Sequence, residues 1–165
     1  QSGHLCLATM HANNSYQALN RILSFYPVEV RPTILGDLTA ALRAIVSQRL
    51  LRTHTGSRVP AIEVMLNTAL ISDLIKKADF SGAREAMEQS LAEGSQSFEQ
   101  DLARLITDDV VTRAEGLSHA DSPNNLLWRL QNDSKTAESS AAAEELDEDD
   151  ADVATFTDFT LDVKF

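Results

Sequence analysis

The chain has 165 residues, 43% of them hydrophobic, and a formal net charge of −11 at pH 7, which is enough for one ordinary domain core. No apolar run approaches the roughly 20 residues that span a bilayer. The single cysteine excludes a disulfide framework and a cysteine-based zinc site, and no basic stripe for nucleic acid is present. The acidity is lopsided: from Asn132 onward eleven acidic residues face two lysines, whereas residues 1–131 carry fourteen acids and twelve bases. The charge therefore belongs to the tail and says little about the ligand of the rest.

In chain order, "GHLCLATMHANN" comes first. Leu5, Cys6, Leu7 and Ala8 form a continuous apolar run, the pattern of a strand covered on both faces, with Cys6 as a small buried hydrophobe. Thr9, His11, Asn13 and Asn14 follow, at what would be the strand's carboxyl end, where open α/β sheets bind ligands. Gln1 stands almost directly before this run, without an initiator Met, a basic n-region or a secretory h-region, so the expectation is a portion of something longer. "NNSYQALNRILSFYP" predicts a helix with an Asn or Ser cap and Tyr16, Leu19, Leu23 and Tyr26 on one face. Pro27 and Pro32 punctuate the next loop. "TILGDLTAALRAIVSQ" predicts a long helix with Leu35, Leu38, Leu42, Ile45 and Val46 as its apolar stripe.

"RLLRT" and "RVPAIEVML" predict two strands joined by the turn "HTGS", with Pro60 near a strand start or edge. "ALISDLIKKAD" predicts a short helix bearing Leu70, Ile71, Leu74 and Ile75, with Lys76 and Lys77 near its C-terminus, where the helix dipole favours cations. Further helices are expected around "GAREAMEQSLA", "SFEQDLARLIT", "TRAEGLSHA" and "SPNNLLWRLQ", an all-helical region with no β-pattern. From about Asn132 the dense negative charge and few large apolar residues predict disorder. In "TFTDFTLDVKF" Phe159, Leu161, Val163 and Phe165 alternate with polar residues; the segment reads as a disordered end or as a strand added to an exposed edge, the first being preferred. The tail is expected to aid solubility rather than to bind basic partner surfaces.

The chemistry is narrow. His4 and His11, on one strand, would lie about 23 Å apart on opposite faces, so they cannot chelate one ion in a single subunit, and no metal site is expected. His11 is the better placed to touch a ligand, a hydrogen bond from its imidazole to a phosphate oxygen being the obvious interaction, and Thr9 and Asn13 would add polar contacts there. His4 is expected to order the strand's entry or a contact between subunits. His54 and His119 read as surface residues. Glu63 pairs with Arg49 or Arg52 across the hairpin, the favoured reading, or is catalytic. No G-x-S-x-G, CxxC, H-E-x-x-H or G-x-x-x-x-G-K-[ST] occurs in the 165 residues.

"GHLCLATMHANNSYQALNRILSFYP" resembles the segment containing the histidine box of the secretion-superfamily P-loop ATPases, and within these the type IV pilus retraction ATPases of the PilT/PilU family. "AIVSQRLLRT", "EVMLNT", "LISDLIKK", "SFEQDLARLI" and "HADSPNNL" continue the resemblance in the expected order, over roughly residues 1–131. The helix that reads A-I-R-N-L-I-R-E in the retraction ATPases here has Ser72 and Lys77 in place of the first Arg and the final acid. With "HANN" and "ADSPN" this makes the chain look more like PilU than PilT. The four-cysteine element usual in assembly and type II secretion ATPases is missing.

The resemblance implies an α/β fold: the C-terminal half of a RecA-like P-loop ATPase core over residues 1–68, an all-helical C-terminal subdomain over 69–131 and a disordered acidic tail over 132–165. It implies a hexameric motor coupling ATP hydrolysis to pilus retraction in twitching motility, cytoplasmic and peripheral to the inner membrane at the pilus base. A PilT-like ATPase and the inner-membrane platform protein would be its partners, with neither nucleic acid nor membrane insertion. His11 would sense the γ-phosphate and His4 complete the histidine box, with Thr9, His11 and Asn13 near nucleotide. Leu70, Ile71, Leu74, Ile75 and Lys76 would line a force-coupling helix. The cofactor would be ATP with Mg²⁺, but the phosphate loop, acidic box and Walker B glutamate would all precede Gln1. This stretch is therefore expected to be inactive alone and to bind nucleotide poorly, and its first strand to lack sheet neighbours. Two alternatives are a non-catalytic docking module or remnant, and a fragment of a type II secretion or pilus-assembly ATPase.

Overall fold

The computed structural model describes residues 3–89 and 91–132. The predicted tail disorder and the alternating segment near the C-terminus lie outside the described residues, apart from Asn132. The chain divides into two units, 1–130 and 131–165; of the second, only Gln131 and Asn132 are described, both helical. The elements are α1 (Ser15–Ser24), a 3-10 turn (Val28–Val30), α2 (Arg31–Ala41), β1 (Ala44–Arg52), β2 (Arg58–Leu66), α3 (Ala69–Lys76), α4 (Phe80–Glu88), α5 (Phe98–Thr107) and α6 (Arg113–His119). A further helix, α7, spans residues 123–132. The expected α/β class is observed.

β1 and β2 form an antiparallel hairpin in register from Ala44 opposite Leu66 to Arg52 opposite Arg58. Its turn closes through Thr53 N–H donating to the Ser57 carbonyl at 3.0 Å, with Gly56 at φ 82, a left-handed conformation that glycine adopts without strain. Alternation sends Ile45, Ser47, Arg49 and Leu51 of β1, and Val59, Ala61, Glu63 and Met65 of β2, to the inner face. The apolar ends of that face serve two cores. Met65, with Ile45 against it, joins Leu19, Leu23, Leu35, Ile71, Ile75, Phe80 and Met87 from α1 to α4. Leu51 and Ala61 join Phe98, Leu102, Leu105, Val111 and Leu126 from α5 onward.

Two predicted elements are corrected. The run Leu5–Ala8 is not a strand: Leu5 is 82% and Leu7 89% exposed, and Cys6 is exposed rather than buried. A strand needs a neighbour for its N–H and C=O groups, and among the described residues the hairpin is the one sheet, with neither strand paired to this run. The long helix also stops early, at Ala41, and Ile45 and Val46 begin β1. Leu42 turns extended at ψ 136. The Asn67 side-chain amide, from just past β2, donates to the Thr39 and Leu42 carbonyls at 2.9 and 3.0 Å. The end of α2 is thus closed from across the fold, and the β-branched pair Ile45–Val46 falls into a pleat that suits it. Pro32 lies in the first turn of α2 rather than in a loop, where its missing N–H costs nothing.

The free edge of β2 is covered by the segment before α5. Gln96 exchanges backbone hydrogen bonds with Val64 at 2.9 and 2.8 Å, and its side chain donates to the Ile62 carbonyl. Asp101 accepts from Ile62 N–H at 2.8 Å and Ser95 Oγ from Leu66 N–H at 3.0 Å. Ser97 and Gln100 complete a capping box that starts α5. This one β-bridge is the exception to the all-helical expectation for that region.

In α3, Thr68 caps the N-terminus and Ile71 and Ile75 are wholly buried, whereas Leu70 is 40% exposed. The two isoleucines therefore fasten the helix and the outward positions do not. Ile71→Ala should cost about 2–4 kcal/mol through the cavity it leaves, and Leu70→Ala about 0.5 kcal/mol or less. Urea denaturation of the two variants measures both; equal losses would contradict this division of the helix.

Candidate functional site

The inner face of the hairpin is apolar at both ends and polar between them, where Ser47, Arg49 and Glu63 point inward. A buried carboxylate and a half-buried guanidinium must find partners, and those partners organise the candidate site. Glu63 is 4% exposed and accepts the Ser15 backbone N–H at 2.7 Å, satisfying one of the orphan donors in the first turn of α1. The expected pairing of Glu63 with Arg49 or Arg52 is not formed. Arg49 instead donates to Asp121 Oδ1 and to the His119 carbonyl, and to the Asn13 carbonyl at 3.2 Å. Its guanidinium stacks 4.0 Å from the centre of the Phe98 ring. Arg52 ends the hairpin, exposed, with its backbone N–H on Glu115.

Asn14 ties these groups together. Its Oδ1 caps α1 by accepting from Gln17 N–H at 3.0 Å, and its Nδ2 donates to Asp121 Oδ2 at 2.9 Å. One residue further along the α6–α7 connection, Ser122 N–H donates to the buried Glu99 of α5 at 2.8 Å. The sequence motifs "HANN" and "HADS" thus meet on the hairpin, with Arg49 and Asn14 both on Asp121. Sequence reasoning missed Asp121. It also placed Arg49 on the wrong partner, because a diagonal cross-strand neighbour is visible in the register and a loop more than 70 positions downstream is not.

Beyond this anchor the predicted ligand residues stand in the open. His4, Thr9, His11 and Asn13 are all exposed, and the segment holding them is neither helix nor strand, with a local hydrogen bond from Ala12 N–H to the Met10 carbonyl at 3.1 Å. The structure brings the Asn13 carbonyl to Arg49. The His11 imidazole is exposed to solvent. No group of three or more His, Cys, Asp or Glu among the described residues has the geometry to hold a metal. In α3, Leu74 is half-buried and Lys76 exposed, 3.9 Å from Asp73. Leu70 and Lys76 are therefore the accessible members of the expected coupling set, and Ile71 and Ile75 are core.

Burial pushes the Glu63 carboxyl above its ordinary value of 4.5, outweighing the Ser15 and Ser47 hydrogen bonds that pull it down; Asp121 adds to the rise. A carboxyl raised in the folded state favours folding when protonated, so its contribution is lost as pH climbs from 4.5 through the raised value. Glu63→Gln keeps an acceptor for Ser15 and removes that titration. The stability difference between Glu63→Gln and the parent should grow in favour of the glutamine across that pH window and stay constant above it. Denaturant midpoints measured from pH 4 to 8 check this. Arg49→Met should cost about 2 kcal/mol, since it leaves Asp121 and two carbonyls short of a donor. Arg49→Lys should recover only part, because a point charge does not reach three acceptors in one plane. A loss near zero for Arg49→Met would show that the anchor contributes no stability.

The family described as Type II/IV secretion system protein matches residues 1–122, a span that includes both the histidine segment and the anchor. The chain is 43% identical over 132 residues to the type IV pilus ATPase PilU of Pseudomonas aeruginosa, covering 79% of this chain and 35% of that protein. It is 26% identical over 125 residues to the type IV pilus retraction ATPase PilT of the same organism, covering 76% of this chain and 36% of PilT. Among solved structures, the pilus retraction motor PilT with bound ADP superposes with a TM-score of 0.66 at 26% identity, over 74% of this chain and 34% of that one. The chain thus spans about a third of the length of these relatives. The expected RecA-like α/β class accords with that superposition. The chain belongs to the type II/IV secretion system protein family, within its PilT/PilU group of ATPases.

Proposed function

We propose that this chain is the histidine-box and C-terminal helical part of a PilU-like motor that couples ATP binding and hydrolysis to type IV pilus retraction. The observation that carries the reading is the family match across residues 1–122, which takes in His4, His11, the hairpin and the "HADS" loop together, joined to 43% identity with a pilus ATPase. On this reading the nucleotide is ATP with Mg²⁺, and the groups that cradle its phosphates and hold the metal lie outside these residues. The 165 residues contain no phosphate loop, so the stretch alone is inactive. A homohexamer is the working assembly, with a PilT-like ATPase and the inner-membrane platform protein as partners at the cytoplasmic base of the pilus. No helix among the described residues is long and apolar enough to cross a membrane.

His11 contacts the γ-phosphate in this proposal, and the anchor gives that contact a route. One residue, Ala12, separates His11 from Asn13, whose carbonyl is held by Arg49, and the next residue, Asn14, is held by Asp121. A pull on the imidazole is therefore delivered to a junction of α1, the hairpin and the α6–α7 connection, an element of the kind that switches when phosphate contacts are made and lost. Thr9 and Asn13 supply further polar contacts near the nucleotide, and His4 orders the far end of the segment.

In a protein that carries this chain downstream of its phosphate loop, His11→Ala should lower ATP turnover on the order of 10²-fold while the assembly measured by light scattering is retained. Unchanged turnover would overturn the phosphate-sensing role of His11.

A further inference from the structure

Asp121 lies in the α6–α7 connection with its side chain 20% exposed, and its two oxygens serve different elements. Oδ1 accepts from the Arg49 guanidinium of β1, and Oδ2 accepts from Asn14 Nδ2, at the start of α1, at 2.9 Å. The connection itself is held on both sides of this residue. Before it the His119 carbonyl accepts from Arg49, and directly after it Ser122 N–H donates to Glu99 of α5, which is 3% exposed. Asp121 is therefore a fixed point between the hairpin and α5.

The histidine segment on the other side of this contact has no such support, residues 3–11 being exposed. At its end Ala12 N–H donates to the Met10 carbonyl at 3.1 Å, closing a three-residue turn with His11 at its centre. Ala12 joins that turn to Asn13, whose carbonyl accepts from Arg49 at 3.2 Å, and Asn14 follows. At no more than about 3.6 Å per residue, the His11 backbone stands within about 7 Å of the Asn13 backbone. The place of the turn is thus set by Arg49 and Asn14, and one carboxylate orients both. We propose that Asp121 is a positioning residue for ATP turnover: by orienting Asn14 and Arg49 together it holds the His11 turn in register for the γ-phosphate. The inference rests on the reading of His11 as the γ-phosphate contact and adds to it a residue that touches no phosphate.

The direction of the hydrogen bonds makes this testable. Asn14 Oδ1 accepts from Gln17 N–H at 3.0 Å, so its amide nitrogen faces Asp121. In Asp121→Asn one oxygen remains for two donors, and the new amide nitrogen meets a donor. The exchange Asn14→Asp with Asp121→Asn reverses the bond. Position 14 then keeps one oxygen for Gln17 N–H and offers the other to the amide at position 121, whose own oxygen stays on Arg49. A carboxylate is also a favoured helix cap.

In a protein that carries this chain downstream of its phosphate loop, ATP turnover is compared for His11→Ala, Asp121→Asn, the two combined, and the exchange. Light scattering and circular dichroism check assembly and folding. Asp121→Asn should lower kcat on the order of tenfold with KM for ATP within about twofold, the phosphate-binding groups being untouched. Combined with His11→Ala it should add no further loss, because a positioning residue acts through the group it positions. The exchange should return kcat to within about threefold of the parent. Unchanged turnover in Asp121→Asn, multiplied losses in the combined variant, or a folded exchange as slow as Asp121→Asn would each overturn the positioning role while leaving His11 its own. Where Asp121→Asn alone fails to fold, the exchange carries the test, and an exchange that also fails to fold contradicts the reciprocal hydrogen bond and overturns the role. Unchanged turnover in His11→Ala overturns the reading of His11 itself, and this inference with it.

Discussion

The fold depends on one constraint, the polar strip that Ser47, Arg49 and Glu63 place on the otherwise apolar inner face of the hairpin. An unpaired charge at that depth costs several kcal/mol, so the surrounding chain has little freedom. The N-terminus of α1 must come to Glu63, and the α6–α7 connection must bring Asp121 and the His119 carbonyl to Arg49. Asn14 closes the arrangement by serving as helix cap and as donor to Asp121 at once. Had the strip been apolar, the two cores on either side would merge and no particular residue of the connection would be required there.

The same logic of satisfied polar groups governs the rest of the scaffold. β2 meets Gln96, Ser95 and Asp101 along its outer edge, which removes a row of open hydrogen-bonding groups. The end of α2 is closed by Asn67. These devices come from residues that immediately follow β2, lead into α5 or lie in its first turn, so the hairpin acts as the frame on which helices on both sides are registered. The histidine segment is held differently, fastened at Asn13 and Asn14 and exposed before them. A segment fastened at Asn13 and Asn14 transmits displacement to that anchor, which is why the mechanical reading of His11 rests on Arg49 and Asp121.

Much of this scaffold is legible in the amino-acid sequence. The cap of α1 and its apolar face as far as Leu23, the whole of β2, the turn at Gly56 and the run of helices after Thr68 follow from periodicity and capping residues acting over a few positions; Tyr26, expected on the same face, lies past the end of α1 at Ser24 and is 39% exposed. The helix expected through Ile45 and Val46 does not form, because the signal that ends α2 is an asparagine 25 and more positions downstream, which no local pattern records. The strand expected at Leu5–Ala8 reflects a composition suited to burial in a sheet, and a run without paired neighbours does not become one. Glu63 is recognisable as a carboxylate on an inward strand position. Its partner is not, since the Ser15 backbone N–H carries no signature in the sequence.

The sequence by itself therefore determined the secondary elements whose causes are local, the asymmetry of charge and the family to which the chain belongs, because caps, periodicity and motif residues act within reach of their neighbours along the chain. Only the tertiary structure decided which polar groups meet. Arg49 finds Asp121, Asn67 finds the end of α2, and Glu99 finds the Ser122 N–H, because the burial that makes such partners obligatory arises only once distant segments pack together.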